Sequence, residues 1–187
     1  MSSVEGQKVM EADQIATMHW VLHTELTLDV PASEVWPVVK DMRRWYSEYA
    51  IEVVSGPSYQ DGSGLMEDQV LKMTSSKSLP RISNSDDAGE PQPYIVKIIK
   101  VVRQKEIVSL LSGSAYDFKH YTSFYVWKLM ELAKKTTVLV DTYGEADLVK
   151  PLSMGALSDY RDKLIKNWHR SWSEAFVNLK NVLHADH

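Results

Sequence analysis

The stretch "SFYVWKLMELAKKTT" holds Ser123, Tyr125 and Trp127 at every second position, and these residue types could handle a small molecule. In a strand, side chains two apart share a face, so a hydroxyl, a phenol and an indole would point the same way. Tyr125 could donate a hydrogen bond to a ligand carbonyl, although an aromatic on a strand also serves as plain core. Trp168 and Trp172, four apart in "NWHRSWSEAF", share a face if that segment is helical. They make either a rigid aromatic wall or a filler between helix and sheet. Six tryptophans in 187 residues favour a wall, because large amphipathic rings line a cavity at little entropic cost. His120, beside Tyr121, and His169, beside Trp168, are acid or base types, but spacing identifies no partner for either. His19 and His23 fall on a polar face, and His184 and His187 belong to a tail. A metal site would need a third ligand supplied by the fold, and none is expected.

The rest of the composition narrows the classes. There is no cysteine, which excludes disulfides, thiolate catalysis and Cys-ligated zinc. A net charge of -4, with Lys and Arg scattered along the chain, offers no field for nucleic acid. No "GxGxxG", Walker loop or "GxSxG" elbow occurs, so neither a nucleotide cofactor nor serine hydrolase chemistry is expected; the glycines of "GPSYQDGSG" read as a hairpin turn. No run is apolar for about 18 residues, and the N-terminus lacks a signal-peptide core. The expectation is a cytoplasmic protein without a membrane span, monomeric or homodimeric, and without a cofactor.

These residues need elements to position them. Residues 1–17 are polar and read as a flexible arm, with one domain following over residues 18–187. From His19 a period of two, with Trp20, Leu22, Thr24, Leu26, Leu28 and Val30 on one face, predicts a half-buried strand. Pro31 makes a turn. Ser33 or Asp29 can cap a helix through Val35, Trp36, Val38 and Val39, with Pro37 in its first turn, and Met42 to Tyr49 predicts a second short helix. "AIEVVSG" and "LMEDQVLKM" then read as paired strands, followed by "YIVKIIKVV", "EIVSLLS", "YTSFYVWKLMELA" and "TTVLVDTYGEA" in an antiparallel meander. Residues 74–92 are rich in Ser, Pro, Asp and Gly; a loop so long is disordered or functional, as a lid would be. Beyond Pro151, Leu157, Tyr160 or Arg161, Leu164, Trp168, Trp172, Ala175, Leu179 and Val182 trace one stripe of a long amphipathic helix.

A strand ending in "VPASEVW", short helices containing "RRWYSEYA", a meander and one long terminal helix resemble the START-like, or SRPBCC, helix-grip superfamily over residues 19–183. Aromatic polyketide cyclases and the major birch pollen allergen are members. The resemblance implies an α+β fold in which a curved antiparallel sheet wraps the long helix, supported by two small helices, with a cavity between sheet and helix suited to a hydrophobic ligand. It is strongest to the cyclases, whose "W…SEYA" segment is similar to Trp45, Ser47, Glu48, Tyr49 and Ala50, though shorter here between Trp and Ser. Trp36 would then pack the small helix into the core, Trp45 and Tyr49 would stand at the pocket, and Trp127 would match a cavity tryptophan. Where the cyclases have polar cavity residues this chain has Ile99, Val101 and Ser114, and Ala175 replaces an amide on the long helix.

Carried along the strands, the same frame turns Glu67, Gln69, Lys97 and Thr142 inward. A carboxylate and an amine facing an apolar hollow would be desolvated and could serve as general acid and base. A frame one residue off would turn both to water instead. The resemblance thus implies a pocket enzyme of secondary metabolism that cyclises, dehydrates or rearranges a polyketide-like intermediate. Glu67, Lys97 and Tyr125 would do the proton chemistry, and Trp45, Tyr49, Gln69, Ser123, Trp127, Thr142, Trp168 and Trp172 would bind the ligand. The alternatives are a non-catalytic carrier or sensor of a lipid-like or aromatic ligand, and a protein-binding module, which an exposed apolar patch would favour.

Overall fold

The computed structural model describes residues 14–58, 63–75, 93–115 and 117–186. Seven strands form one antiparallel sheet in the order β1-β7-β6-β5-β4-β3-β2. They are β1 (Ile15–Leu28), β2 (Tyr49–Ser55), β3 (Val70–Ser75), β4 (Pro93–Val102), β5 (Glu106–Ala115), β6 (Phe118–Leu132) and β7 (Lys135–Leu152). The helices are α1 (Ala32–Lys40) and α2 (Met154–Ala185), with a 3-10 turn at Met42–Arg44. Strands β2 to β7 follow one another as a meander, and β1 closes against β7. β1 and β2 therefore lie at opposite edges, and α1 with the 3-10 turn carries the chain between them.

One face of the curved sheet is apolar. On β1, Met18, Trp20, Leu22 and Leu28 are buried, while the intervening His19, Val21 and His23 face solvent. The strand begins at Ile15, ahead of the alternation noticed from His19. Helix α2 covers this face with Tyr160, Leu164, Trp172, Ala175, Phe176, Leu179 and Leu183. At 32 residues it runs about 48 Å. Ser153 starts it: its hydroxyl accepts from the Ala156 backbone N–H at 3.4 Å. The fold is an α+β helix grip.

Several local expectations differ. Neither Ser33 nor Asp29 caps α1; the N-cap is Pro31, and the Ala32 N–H donates to Glu131 Oε2 of β6 at 2.8 Å. An orphan N–H at a helix start needs an acceptor, and tertiary structure supplies it here. Pro37 sits in the second turn of α1 rather than the first. The second helix reduces to the 3-10 turn, tethered to the end of α2 by Arg44, whose Nη2 donates to both carboxylate oxygens of Asp186 at 2.8 and 3.0 Å. In "LMEDQVLKM" the strand starts only at Val70. Of the 74–92 stretch, Thr74 and Ser75 end β3 and the remainder lies outside the described residues, as does any lid there. Among the described residues no helix is long and apolar enough to cross a membrane.

Candidate functional site: an aromatic hollow between sheet and long helix

Two adjoining hollows lie between the sheet's inner face and α2. The first, about 40 Å³, is bordered by Trp20, Tyr94, Tyr121, Ser123, Thr142 and Trp168, among others. The second, about 50 Å³, is bordered by Met42, Leu65, Met73, Val96, Ile98 and Trp127. Tyr46, Tyr49, Leu111, Tyr125 and Trp172 border both. Each has room for a few water molecules. Pockets that enclose drug-sized ligands are several times larger, so an organic ligand has to displace part of the wall.

That wall is a chain of rings. Tyr46 stacks on Trp172 with centroids 5.5 Å apart and planes 10° apart, and Trp172 meets Trp127 edge-on at 5.0 Å. From Tyr46 the series continues to Tyr49 at 4.8 Å, Tyr94 at 6.1 Å and Tyr121 at 5.7 Å. Trp20 and Trp168 close one side with centroids 5.1 Å apart. Trp20 reaches this place because it lies flat over Gly144, its register partner on β7, where a Cβ would overlap the indole.

Apart from indole N–H groups, the wall's polar side chains end in hydroxyls. The hydroxyls of Tyr46 and Tyr49, of Tyr121 and Tyr94, and of Tyr125 and Ser123 neighbour one another. Ser171 donates to Glu48. Burial pushes the phenols of Tyr46, Tyr49, Tyr94, Tyr121 and Tyr125 above the ordinary value of 10.0, so all are neutral at physiological pH. No carboxylate, amine or imidazole borders either hollow among the described residues. Nor do three or more His, Asp or Glu side chains gather there as a metal would require.

The residues expected at the site divide accordingly. Ser123, Tyr125, Trp127, Thr142, Tyr49, Trp168 and Trp172 meet at the hollows. Glu67 does not: it is exposed in a turn whose next residue, Asp68, has φ 64°, so strand alternation does not reach it. Gln69 is buried but engaged by backbone; its Oε1 accepts from Met66 N at 2.8 Å and its Nε2 donates to Pro57 O at 3.0 Å. Lys97 is exposed on the outer face between buried Val96 and Ile98. The register of β4 against β5 shifts between Ile98 and Lys100, and this bulge reverses the frame when one counts back from Val101. Ile99 is accordingly exposed. Trp45 is fully buried behind Trp127, its indole N–H donating to Val38 O at 2.9 Å, and it borders neither hollow. Trp36 packs α1 into the core. His120 and His169 are exposed. Ala175 borders a separate cleft between the segment 45–48 and α2, where the amide of Asn178 donates to Ser47 at 3.2 Å.

Sequence reasoning missed Tyr46, Tyr94, Tyr121 and Ser171, and read Trp20 only as strand face. Tyr94 was legible once the β4 frame was anchored on "YIVKI", where Tyr94, Val96 and Ile98 alternate inward.

No family model matches the chain, and no curated protein does. Solved structures do. The ZhuI aromatase/cyclase from Streptomyces sp. R1128 superposes with a TM-score of 0.60 at 15% identity, covering 89% of this chain and 94% of that one. Ara h 8.0201 gives 0.58 at 14% identity, over 90% and 99% of the two chains. DynU16, from the dynemicin biosynthetic locus, gives 0.52 at 15% identity, over 88% of this chain and 47% of its own. The chain has the START-like, helix-grip fold.

Proposed function

We propose that this protein binds a hydrophobic, planar small molecule between the sheet and α2 and releases it unchanged, acting as a carrier or sensor. The observation carrying this reading is the wall's chemistry: stacked indoles and phenols with neutral hydroxyls and, among the described residues, no titratable base. Such a surface offers dispersion contacts and hydrogen-bond donors. It offers no group poised to remove a proton near neutral pH, because burial makes each phenol a weaker acid still and its conjugate base inaccessible. Glu67 and Lys97, the groups for which acid and base roles were expected, face solvent and are assigned none.

A second reading, a cyclase or dehydratase of polyketide-like intermediates, is favoured by the likeness to the ZhuI aromatase/cyclase. In it, folding the substrate into a reactive shape supplies most of the effect, and Tyr125 polarises a carbonyl. Incubation with aromatic polyketide intermediates separates the two. A carrier returns them unchanged, with Tyr125→Phe weakening binding about threefold to tenfold through loss of one hydrogen bond. An enzyme gives a new product whose rate falls in Tyr125→Phe. Glu67→Gln and Lys97→Met leave binding and product profile unaltered in either case, and a loss in either variant would return proton chemistry to those residues.

A further inference from the structure

The two hollows differ in kind. One is ringed by hydroxyls from Ser123, Tyr125, Thr142 and Ser171, the other by Met42, Leu65, Met73, Val96 and Ile98. They meet past Tyr125 and Trp172, which border both. In the hydroxyl half, Ser123 lies beside Tyr125, and Ser171 donates to Glu48. Thr142 stands apart. Its side chain is 3% exposed, borders the hollow, and its Oγ1 has no hydrogen-bond partner among the described residues. Thr24 Oγ1 is also unpartnered but borders neither hollow.

A buried hydroxyl left unpaired destabilises the fold, since it gives up its bonds to water and gains none. The preceding inward positions of β7, Val138 and Val140, are buried valines. Valine has nearly the shape of threonine and the same strand preference, so neither packing nor propensity calls for a hydroxyl at position 142. What the hydroxyl adds is one donor and two acceptor sites facing a wall of rings.

We propose that Thr142 is the anchor for an oxygen substituent of an amphipathic ligand. Its oxygen-bearing aromatic head occupies the hydroxyl-ringed hollow, and its alkyl portion extends past Tyr125 and Trp172 into the apolar one. The ligand class is thus an alkylated phenol or a close equivalent, narrower than the planar hydrophobic molecule of the preceding reading, on which this inference rests. Contact with Thr142 completes the hydroxyl's hydrogen bonding only when the ligand is present, so the oxygen is selected for and a bare hydrocarbon is not.

The test is calorimetric titration of the full chain with 4-propylphenol and with propylbenzene, comparing the ratio of the two Kd values across variants. In Thr142→Val the ratio moves about tenfold toward the hydrocarbon, the value of one hydrogen bond. Thr142→Ser keeps the native ratio. The empty Thr142→Val protein has a Tm no lower than the native one, because no partner is left unpaired. Should Thr142→Val fail to fold, Thr142→Ala reads the same ratio. An unchanged ratio with both probes bound overturns the anchor and leaves the binding reading standing. Failure of the native protein to bind either probe overturns both.

Discussion

Tyr46, Tyr49, Tyr94, Tyr121 and Tyr125 sit where a cavity enzyme would need acids and bases, and each is a wholly or partly buried phenol with a raised pKa. The direction fixes a pH dependence. In the unfolded chain a tyrosine loses its proton near pH 10; in the folded chain these keep theirs to higher pH. Above about pH 10 the folded state therefore binds more protons, and stability falls as pH rises. Each such phenol steepens the loss by up to about 1.4 kcal/mol per pH unit. Urea denaturation at pH 8, 10 and 11 checks this: the midpoint is level from 8 toward 10 and drops sharply by 11, and Tyr121→Phe makes the drop shallower. A midpoint that held to pH 11 would mean that the phenols ionise freely and are not sealed in the wall. Legibility differed residue by residue. Ser123, Tyr125 and Trp127 could be placed together because β6 pairs regularly with β7 from His120 to Leu132, so counting by two holds. Glu67 could not, since a left-handed residue at Asp68 breaks the count, and Lys97 was misplaced because counting back from Val101 crosses the bulge at Ile98/Lys100, whereas counting from Tyr94 does not.

Elements with strong periodicity could be read well. The stripe from Leu157 to Val182 marks α2, and the alternation from His19 marks β1. What escaped reading was set by contacts distant in sequence, such as the Glu131 carboxylate that caps α1 and the Arg44–Asp186 pair that replaces a second helix. The β1/β7 pairing has its own consequence at Trp20, which reaches the hollow only because Gly144 leaves room above β7. Gly144→Ala puts a methyl into the indole and drives Trp20 off the strand and away from Trp168. The expected cost of such overpacking is about 1–3 kcal/mol, seen as a Tm lower by several degrees. A changed near-UV circular dichroism from the disturbed Trp20–Trp168 pair should accompany it. A variant with native Tm and native near-UV signal would show that the ring does not need the gap.

In the molecule as a whole, two apolar surfaces compete for a functional meaning. The outer sheet face exposes Val21, Tyr143 and Phe124 in one row across β1, β7 and β6. That row is bounded by His19 near Glu145 on one side and by His23 bonded to Asp141 on the other. His23 is held above its ordinary 6.5 by the Asp141 hydrogen bond, which adds to the polar border. These three side chains are set among ion pairs. The inner surface is larger in aromatic content and shaped as a hollow, which is why ligand binding is the better supported reading.

Leu111 borders both hollows and offers a way to fill them without removing a hydroxyl. Native mass spectrometry of the native chain and of Leu111→Trp, each mixed with 4-propylphenol and with far-UV circular dichroism confirming the fold, should give a one-to-one complex for the first and bare protein for the second. Equal occupancy in both, or none in either, would mean that small molecules do not enter between the sheet and α2.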